Sequence, residues 1–157
     1  MNMNFRPATI EDARMLFDWR NDQQTRANSL TTDEVVWESH LQWLEKSLKN
    51  PHRKILIAEK DGVAIGTVRA DGLLGNPASD GGTVELSWTV APSERGKGLG
   101  REMVVAAAEM FLSQISSGEQ LVAKIKMQNT ASIKIAEAAG FVSVSEDEGV
   151  GIWIKMK

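Results

Sequence analysis

The chain has 157 residues, 42% of them hydrophobic, and a formal net charge of −3. This length predicts one domain, over residues 1–157, with enough apolar residues for a core. The acidic balance argues against a nucleic-acid binder, and the absence of cysteine excludes disulfides and cysteine metal sites. Because there is no membrane-length apolar run and no signal-like N-terminus, we expect no membrane association and a cytoplasmic location. With only two histidines, we also expect no metal.

Hydrophobic periodicity predicts the elements of the first half of the chain. A strand over residues 5–10 is followed by a helix that ends within residues 18–22. A capping-box pattern at residues 31–34 predicts the start of a second helix, which Pro51 ends. A hairpin follows, with strands over residues 54–59 and 63–69.

The second half alternates strands and helices. After a loop over residues 73–82, rich in glycine, asparagine, proline and serine, a strand runs over residues 83–90. The remaining predicted elements are a helix over 99–112, a strand over 121–125, a helix over 129–139 and two closing strands over 141–145 and 151–156. This order, β-α-α-β-β-β-α-β-α-β-β, predicts a mixed α/β sheet and no second domain.

The strand over residues 83–90 leads into a basic, glycine-rich loop and then a helix. Glycines let backbone N–H groups converge on a ligand, and a helix start adds free N–H groups and a positive dipole end. The spacing excludes a P-loop and a dinucleotide fingerprint. We expect Gly98 and Gly100 to be irreplaceable, because a Cβ would block the ligand. The predicted phosphate or pyrophosphate pocket comprises Arg95, Gly96, Lys97, Gly98, Leu99, Gly100 and Arg101.

A second motif follows about 30 residues later. Asn129 suits the N-cap of the predicted helix there, and Gly140, followed by Phe141, suits its C-terminal end. The R-x-x-G-x-G pattern at residues 95–100 and this Asn…Gly-Phe segment together resemble the coenzyme A motifs of the GNAT acetyl-CoA-dependent N-acetyltransferases. The resemblance covers roughly residues 5–141.

The resemblance implies a fold, a cofactor and an activity. The fold is a mixed sheet with helices on both faces and two splayed central strands, here residues 83–90 and 121–125. The expected activity is transfer of an acetyl group from acetyl-CoA to a primary amine; the alternative is a non-catalytic acyl-CoA-binding module. Besides the loop, the residues expected to contact acetyl-CoA are Trp88, Thr89, Val90, Asn129 and Ser132.

Amine acetylation also needs a base within hydrogen-bond or one-water reach of the amine. Glu85 is the first candidate, because the resemblance places an acidic residue in this strand and alternation puts it on one face with Ser87 and Thr89. The alternative is a polar face of a half-exposed strand. His40 is a second candidate base, although a substrate contact suits it better.

One position departs from the resemblance. Many relatives carry a tyrosine that protonates the departing thiolate, where this chain has Ala136, and the chain contains no tyrosine. A thiol with a pKa near ~8.5 is already a fair leaving group. Water held by Ser132 or Asn129 is the expected substitute.

The first half also carries candidate substrate residues. The W-R-N pattern at residues 19–21 and H-x-x-W at residues 40–43 resemble a subgroup that acetylates amino-sugar nucleotides, and more loosely the branch that acetylates ribosomal-protein N-termini. Arginines could hold a diphosphate and a tryptophan could stack on a base or sugar. The alternative is that these tryptophans lie in the core and the arginines on the surface. A small-molecule amine is the expected partner, and a homodimer stays open. The candidate substrate residues are Arg20, Asn21, Arg26, His40, Trp43 and Arg69.

Overall fold

The computed structural model describes residues 3–73 and 82–157. The loop expected over residues 73–82 therefore lies outside the described residues except at its two ends. The helices and strands are β1 (Asn4–Pro7), α1 (Ala13–Asn21), α2 (Gln23–Asn28), α3 (Trp37–Lys49), β2 (Arg53–Lys60), β3 (Val63–Asp71), β4 (Thr83–Val90), α4 (Leu99–Gln114), β5 (Gln120–Lys126), α5 (Thr130–Ala138), β6 (Val142–Asp147) and β7 (Val150–Met156).

The described strands form one seven-stranded sheet in the order β1-β2-β3-β4-β5-β7-β6. The neighbouring strands pair antiparallel, except for β4 and β5, which run parallel. β4 and β5 pair only where residues 83–85 face residues 120–122. Beyond Glu85 no residues of the two strands pair, so the sheet forks at this point. The predicted mixed sheet with splayed central strands is confirmed.

Helices cover both faces of the sheet. On one face α4 and α5 pack over a core whose fully buried side chains include Leu86, Met103 and Phe111. On the other face α1 and α3 pack over a smaller core that includes Leu44 and Ile57. Because alternate strand residues face opposite sides, β2 is buried throughout its centre under both layers. On the second face α3 packs mainly against β2, whereas α1 packs against α3 and reaches β4.

The start of α3 differs from the prediction. The helix begins at Trp37 rather than within residues 31–34, and its N-cap, Val36, contributes no side-chain hydrogen bond. The side chain of Asn21 explains the delay, because it clasps the backbone of Val35: its Nδ2 donates to the carbonyl oxygen (2.8 Å) and its Oδ1 accepts from the amide (2.7 Å). Both backbone hydrogen-bonding groups of Val35 are paired with Asn21 and not within a helix. The capping box predicted at residues 31–34 is therefore wrong.

The sequence also left α2 unpredicted. This short helix begins where the side chain of Asp22 accepts a hydrogen bond from the backbone N–H of Thr25 (3.1 Å). Six residues form too short a segment for hydrophobic periodicity to detect, and none of them is buried. Within the described residues, no helix is both long and apolar enough to cross a membrane.

Candidate active site

Two neighbouring cavities, which share part of their walls, lie around the fork between β4 and β5. The first, about 660 Å³, has walls from α1, α3 and the central strands; the second, about 400 Å³, lies against the glycine-rich loop. We call the first the sheet cavity, with walls that include Arg20, His40, Trp43, Arg69, Glu85 and Lys124. We call the second the loop cavity, with walls that include Arg95, Gly96, Gly98, Leu99, Gly100 and Arg101. The two cavities share Asn28, Ser29, Trp88, Thr89, Asn129 and Ser132.

The backbone shapes the loop cavity. Gly96 and Gly98 have φ angles of 80° and 75°, in the left-handed region that other residues rarely adopt. A Cβ built on either glycine would have no described protein atom within 4 Å, so the space beside them is open. α4 begins directly after Gly98, and no side chain caps its first turn. Free N–H groups at a helix start and an open glycine backbone fit the pyrophosphate of coenzyme A.

Gly100 is constrained for a different reason. It is buried, and a Cβ there would lie 2.9 Å from both Ile135 Cδ1 and Val90 Cγ2. A larger residue would push α4 away from β4 and α5. A side chain at residue 100 would therefore clash with the core of the protein rather than, as the sequence led us to expect, with the ligand. At Gly98 the constraint is the left-handed backbone conformation.

Two of the predicted basic side chains of the loop are engaged by carboxylates. Arg95 donates from Nη2 to Asp22 Oδ2 (2.5 Å) and to Thr25 Oγ1 (2.8 Å). Lys97 donates to Glu94 Oε2 (2.6 Å) and does not line the loop cavity. The hydrogen bond from Arg95 is the main cause that lowers the pKa of Asp22. Arg95 thus ties the loop to the start of α2.

The two cavities share wall residues where β4 passes α5, and we call this place the junction. Trp88 donates from its indole Nε1 to Ser132 Oγ (3.2 Å), and Asn129 Oδ1 accepts from the Ser132 backbone N–H (3.2 Å). The predicted N-cap at Asn129 is confirmed. Ala136 is fully buried and belongs to neither described cavity wall. A core methyl group thus occupies the position where the resemblance leads us to expect a tyrosine, and Ser132 supplies a hydroxyl at the junction.

Glu85 lies at the fork itself. It is the last residue of β4 that pairs with β5, opposite Val122, and its half-buried side chain lines the sheet cavity. Its Oε1 lies 3.5 Å from Lys124 Nζ. Ser87 and Thr89, on the same strand face, line the cavity as well. The structure therefore places the predicted base in the wall of the sheet cavity.

His40 lies in a cluster of aromatic rings under the sheet cavity. Its ring is within 6.2 Å, centroid to centroid, of those of Phe17, Trp37 and Trp43. Its Nε2 lies 3.1 Å from the carbonyl oxygen of Ala13, which requires Nε2 to carry the proton and to donate. Burial lowers the pKa of this imidazole. His40 is thus a neutral ring held by the fold, and its Nε2 is occupied by a structural hydrogen bond.

Arg20 and Arg69 both line the sheet cavity. Arg20 donates from Nη2 to the carbonyl oxygen of Thr31 (2.7 Å). Arg69 donates from Nε to Asp71 Oδ2 (2.9 Å), and its guanidinium lies 5.6 Å from the ring centroid of Trp43. The indole of Trp43 is therefore already in contact with a cation within the protein.

Two other candidate substrate residues lie outside the cavity walls. Asn21 is used by the clasp on Val35, and Arg26 donates from Nε to the carbonyl oxygen of Thr32 (3.3 Å). Neither residue lines the sheet cavity or the loop cavity. The sequence predicted that three arginines could hold a diphosphate. Of these, Arg20 and Arg69 line the sheet cavity, whereas Arg26 is hydrogen-bonded to the backbone that follows α2.

Sequence reasoning missed several wall residues. Lys124 belongs to β5 and faces Glu85 across the fork; strand alternation in the predicted splay could have identified it. Asn28 and Ser29, at the end of α2, line both cavities. Both stand in the segment that carries the amino-sugar-nucleotide resemblance, but α2, which positions them, was not predicted from the sequence.

Comparison with known proteins agrees with this geometry. A family model described as an acetyltransferase (GNAT) domain matches residues 2–142. No curated protein is similar enough in sequence to count as a match.

Several solved structures share the fold. The aminoglycoside acetyltransferase AAC(6')-Ib with coenzyme A and kanamycin is 22% identical, with a TM-score of 0.80 over 99% of this chain and 95% of that one. YncA from Salmonella typhimurium with acetyl-CoA is 24% identical, with a TM-score of 0.76 over 99% and 94%. Spermidine N-acetyltransferase from Vibrio cholerae with CoA and spermine is 13% identical, with a TM-score of 0.81 over 98% and 93%. With its family match across most of its length, the chain belongs to the GNAT family of acetyltransferases, whose cosubstrate is acetyl-CoA.

Proposed function

We propose that this acetyltransferase acetylates the primary amine of a small molecule bound in the sheet cavity, and that its acceptor class is an amino-sugar nucleotide. The observation that carries the proposal is that the two cavities share wall residues at the fork, with Glu85 in the wall of the larger one. A cavity of about 660 Å³ is large enough for such an acceptor. Arg20 and Arg69 in its wall support an acceptor that carries phosphate.

The loop cavity and the fork provide the place for acetyl-CoA. Backbone N–H groups of the loop and of the first turn of α4 would hold the pyrophosphate. Beyond Glu85, the side of β4 toward β5 has no strand partner in the described register, so the backbone near Trp88, Thr89 and Val90 is available for the pantetheine amides. When bound, acetyl-CoA supplies the acetyl group as a thioester.

Glu85 would take the proton from the amine. A primary amine is mostly protonated at neutral pH, and it attacks a carbonyl carbon only after it loses that proton. The Glu85 side chain lines the sheet cavity, where an acceptor amine would contact it directly or through one water. Lys124 Nζ lies 3.5 Å from Glu85 Oε1 across the fork.

Ser132 is the candidate for delivering a proton to the departing thiolate. Its Oγ accepts from Trp88 Nε1, so its own hydroxyl hydrogen is free to point elsewhere at the junction. It would act by holding a water that relays the proton lost by the amine to the thiolate. General-acid assistance typically contributes about 10²–10⁴-fold, so a weaker acid than tyrosine slows the reaction without preventing it.

The test is an acetyl-transfer assay that follows thiol release with a panel of acceptors. The panel contains a uridine-diphosphate amino sugar, kanamycin, spermidine and an alanine-initiated peptide, each checked for its acetylated product by mass spectrometry. We expect the highest kcat/KM for the amino-sugar nucleotide. A clear preference for the peptide would overturn the acceptor class. If acetyl-CoA binds but no amine is acetylated, the chain is a binding module and the proposed function is wrong.

A further inference from the structure

One nitrogen of Arg20 is buried without a partner. Its Nη2 donates to the Thr31 carbonyl, whereas Nη1 is shielded from solvent and has no hydrogen-bond partner among the described residues. Arg20 is also part of the wall of the sheet cavity. A buried donor without an acceptor costs free energy, and more so when the group is charged. An isolated guanidinium in this position therefore points to an acceptor that the free protein does not provide.

The surroundings of Arg20 increase this cost. Within the described ranges it forms no ion pair, because its one hydrogen bond goes to a neutral carbonyl. Burial lowers the pKa of Arg20, and the nearby charges of Arg26 and Arg69 lower it further. These causes show that like charges meet here at close range. An anion placed among them would relieve both the desolvation and the repulsion.

The charged side chains in the wall of the sheet cavity also have a positive balance. Its described wall carries three cationic side chains, Arg20, Arg69 and Lys124, but one carboxylate, Glu85. Arg69 must also share the carboxylate of Asp71 with Arg53, whose Nε lies 2.5 Å from Oδ1. The neighbouring carboxylates therefore leave the Arg20 side of the cavity positively charged.

We propose that the acceptor amine carries an anionic group, a carboxylate or a phosphate, which binds against the guanidinium of Arg20 at the wall of the sheet cavity while the amine reaches Glu85. This inference rests on the proposed function. Nη1 has no exposed surface in the free protein and Nη2 is engaged by Thr31, so the Arg20 side chain turns toward the cavity to donate to the anion. Arg69 adds charge to the site. Two similar structures hold kanamycin and spermine, which are polycations, whereas this site would select an acceptor of the opposite charge.

Matched pairs of acceptors test the proposal. Each pair shares its amine and differs in the anionic group: β-alanine against β-alaninamide for the carboxylate, and glucosamine 1-phosphate against methyl glucosaminide for the phosphate. The readout is the ratio of kcat/KM between the two members. We expect the anionic member to be preferred in at least one pair, and the pair that shows the larger ratio identifies the group. Equal use of both members in both pairs would overturn the proposal.

Variants connect the preference to Arg20. Arg20→Gln should lower the ratio by about 10- to 100-fold, the effect of losing a hydrogen bond to a charged group, and Arg20→Lys should retain part of it. Arg14→Gln, on the same helix but exposed and paired with Asp18, is the matched control and should leave the ratio unchanged. Coenzyme A affinity, measured for each variant, verifies folding. An unchanged ratio in Arg20→Gln contradicts the assignment.

A binding measurement separates this inference from the proposed function. With the loop cavity saturated by coenzyme A, calorimetric titration with inorganic phosphate and with acetate probes the second anion site alone. Weaker binding to Arg20→Gln than to the unaltered protein supports the site even if no amine is acetylated, and then the proposed function alone fails. Acetylation without anion preference, together with equal phosphate and acetate binding in both proteins, removes the site and leaves the proposed function standing.

Discussion

The loop cavity and the sheet cavity are built from different parts of the chain. The loop cavity is shaped by backbone: two glycines in the left-handed region and an uncapped helix start. Of the basic side chains of the glycine-rich loop, Arg95 and Lys97 are hydrogen-bonded to carboxylates of the protein. The sheet cavity is instead lined by charged side chains from α1, β3, β4 and β5. A backbone site recognises what all family members bind, whereas a side-chain site can change its ligand by single substitutions.

The largest expected effect separates chemistry from cofactor binding. Glu85→Gln should lower kcat by about 10²–10⁴-fold, because the amide cannot accept the proton of the amine. The affinity for coenzyme A, measured by calorimetry, should stay the same, because the loop cavity is untouched. Glu146→Gln, an exposed glutamate of β6, is the matched control. An unchanged kcat and pH profile in Glu85→Gln would show that Glu85 is not the base.

The converse variant acts on the loop cavity. Gly98→Ala forces a side chain into a left-handed backbone conformation, at a cost of about 1–2 kcal/mol. Gly149→Ala is a matched control, because Gly149 has a φ of 81° and equally open space but lies in the turn between β6 and β7. Both variants should lose similar stability in urea unfolding. Only Gly98→Ala should also weaken coenzyme A binding, by about tenfold if the strain is 1.4 kcal/mol.

That comparison has a clear contrary result. If both alanine variants bind coenzyme A as tightly as the unaltered protein, the backbone conformation of residue 98 does not shape the site. The glycines would then serve only to turn the chain between β4 and α4. If both lose affinity equally, the loss is a general effect of stability, measurable in the same unfolding curves.

The parts that sequence could predict are those encoded by neighbouring residues. The strand, glycine loop and α4 follow one another directly, and Asn129 caps the helix that begins next to it. Residue spacing is enough to predict such features, because the interacting groups are only a few residues apart in the sequence. The order of elements then leads to the mixed sheet with its fork. These elements carry the fold and the family resemblance.

The parts that sequence could not predict depend on contacts between distant segments. The clasp of Asn21 on Val35 spans 14 positions, and the hydrogen bond from Arg95 to Asp22 spans 73. W-R-N in the sequence shows that an arginine and an asparagine are present, but not that the asparagine holds the backbone while the arginine faces the cavity. The walls of the sheet cavity depend on such contacts, so they are harder to predict from the sequence than those of the loop cavity.

The basic residues of the loop offer a smaller test. Arg95→Gln removes the tie to Asp22 and Thr25, so we expect a loss of about 1 kcal/mol in the free energy of unfolding, reduced from the value for a buried charged hydrogen bond by partial exposure. Lys97→Gln removes an exposed pair with Glu94 and should change stability far less. Urea denaturation of both variants measures the difference. Equal losses would contradict the structural role assigned to Arg95.

The last test uses pH, because Asp22, the N-cap of α2, pairs with Arg95 of the glycine-rich loop. Hydrogen bonds from Arg95 and Arg6 lower the pKa values of Asp22 and Asp12, respectively. In the unfolded chain an aspartate has a pKa near ~3.9, so on acidification the unfolded state takes up these protons first. The stability that the two carboxylates contribute is therefore complete above about pH 4 and is lost as the pH falls through their folded values.

Urea unfolding at a series of pH values, from neutral to about pH 3, measures this dependence. Asp22→Asn should show a shallower acid decline than the unaltered protein, because its amide cannot titrate. Asp18→Asn, which removes an exposed carboxylate of α1 paired with Arg14, is the control and should keep the original slope. If Asp22→Asn declines as steeply as the unaltered protein, the pair with Arg95 does not stabilise the fold. The link between the loop and α2 would then be a contact without an energetic role.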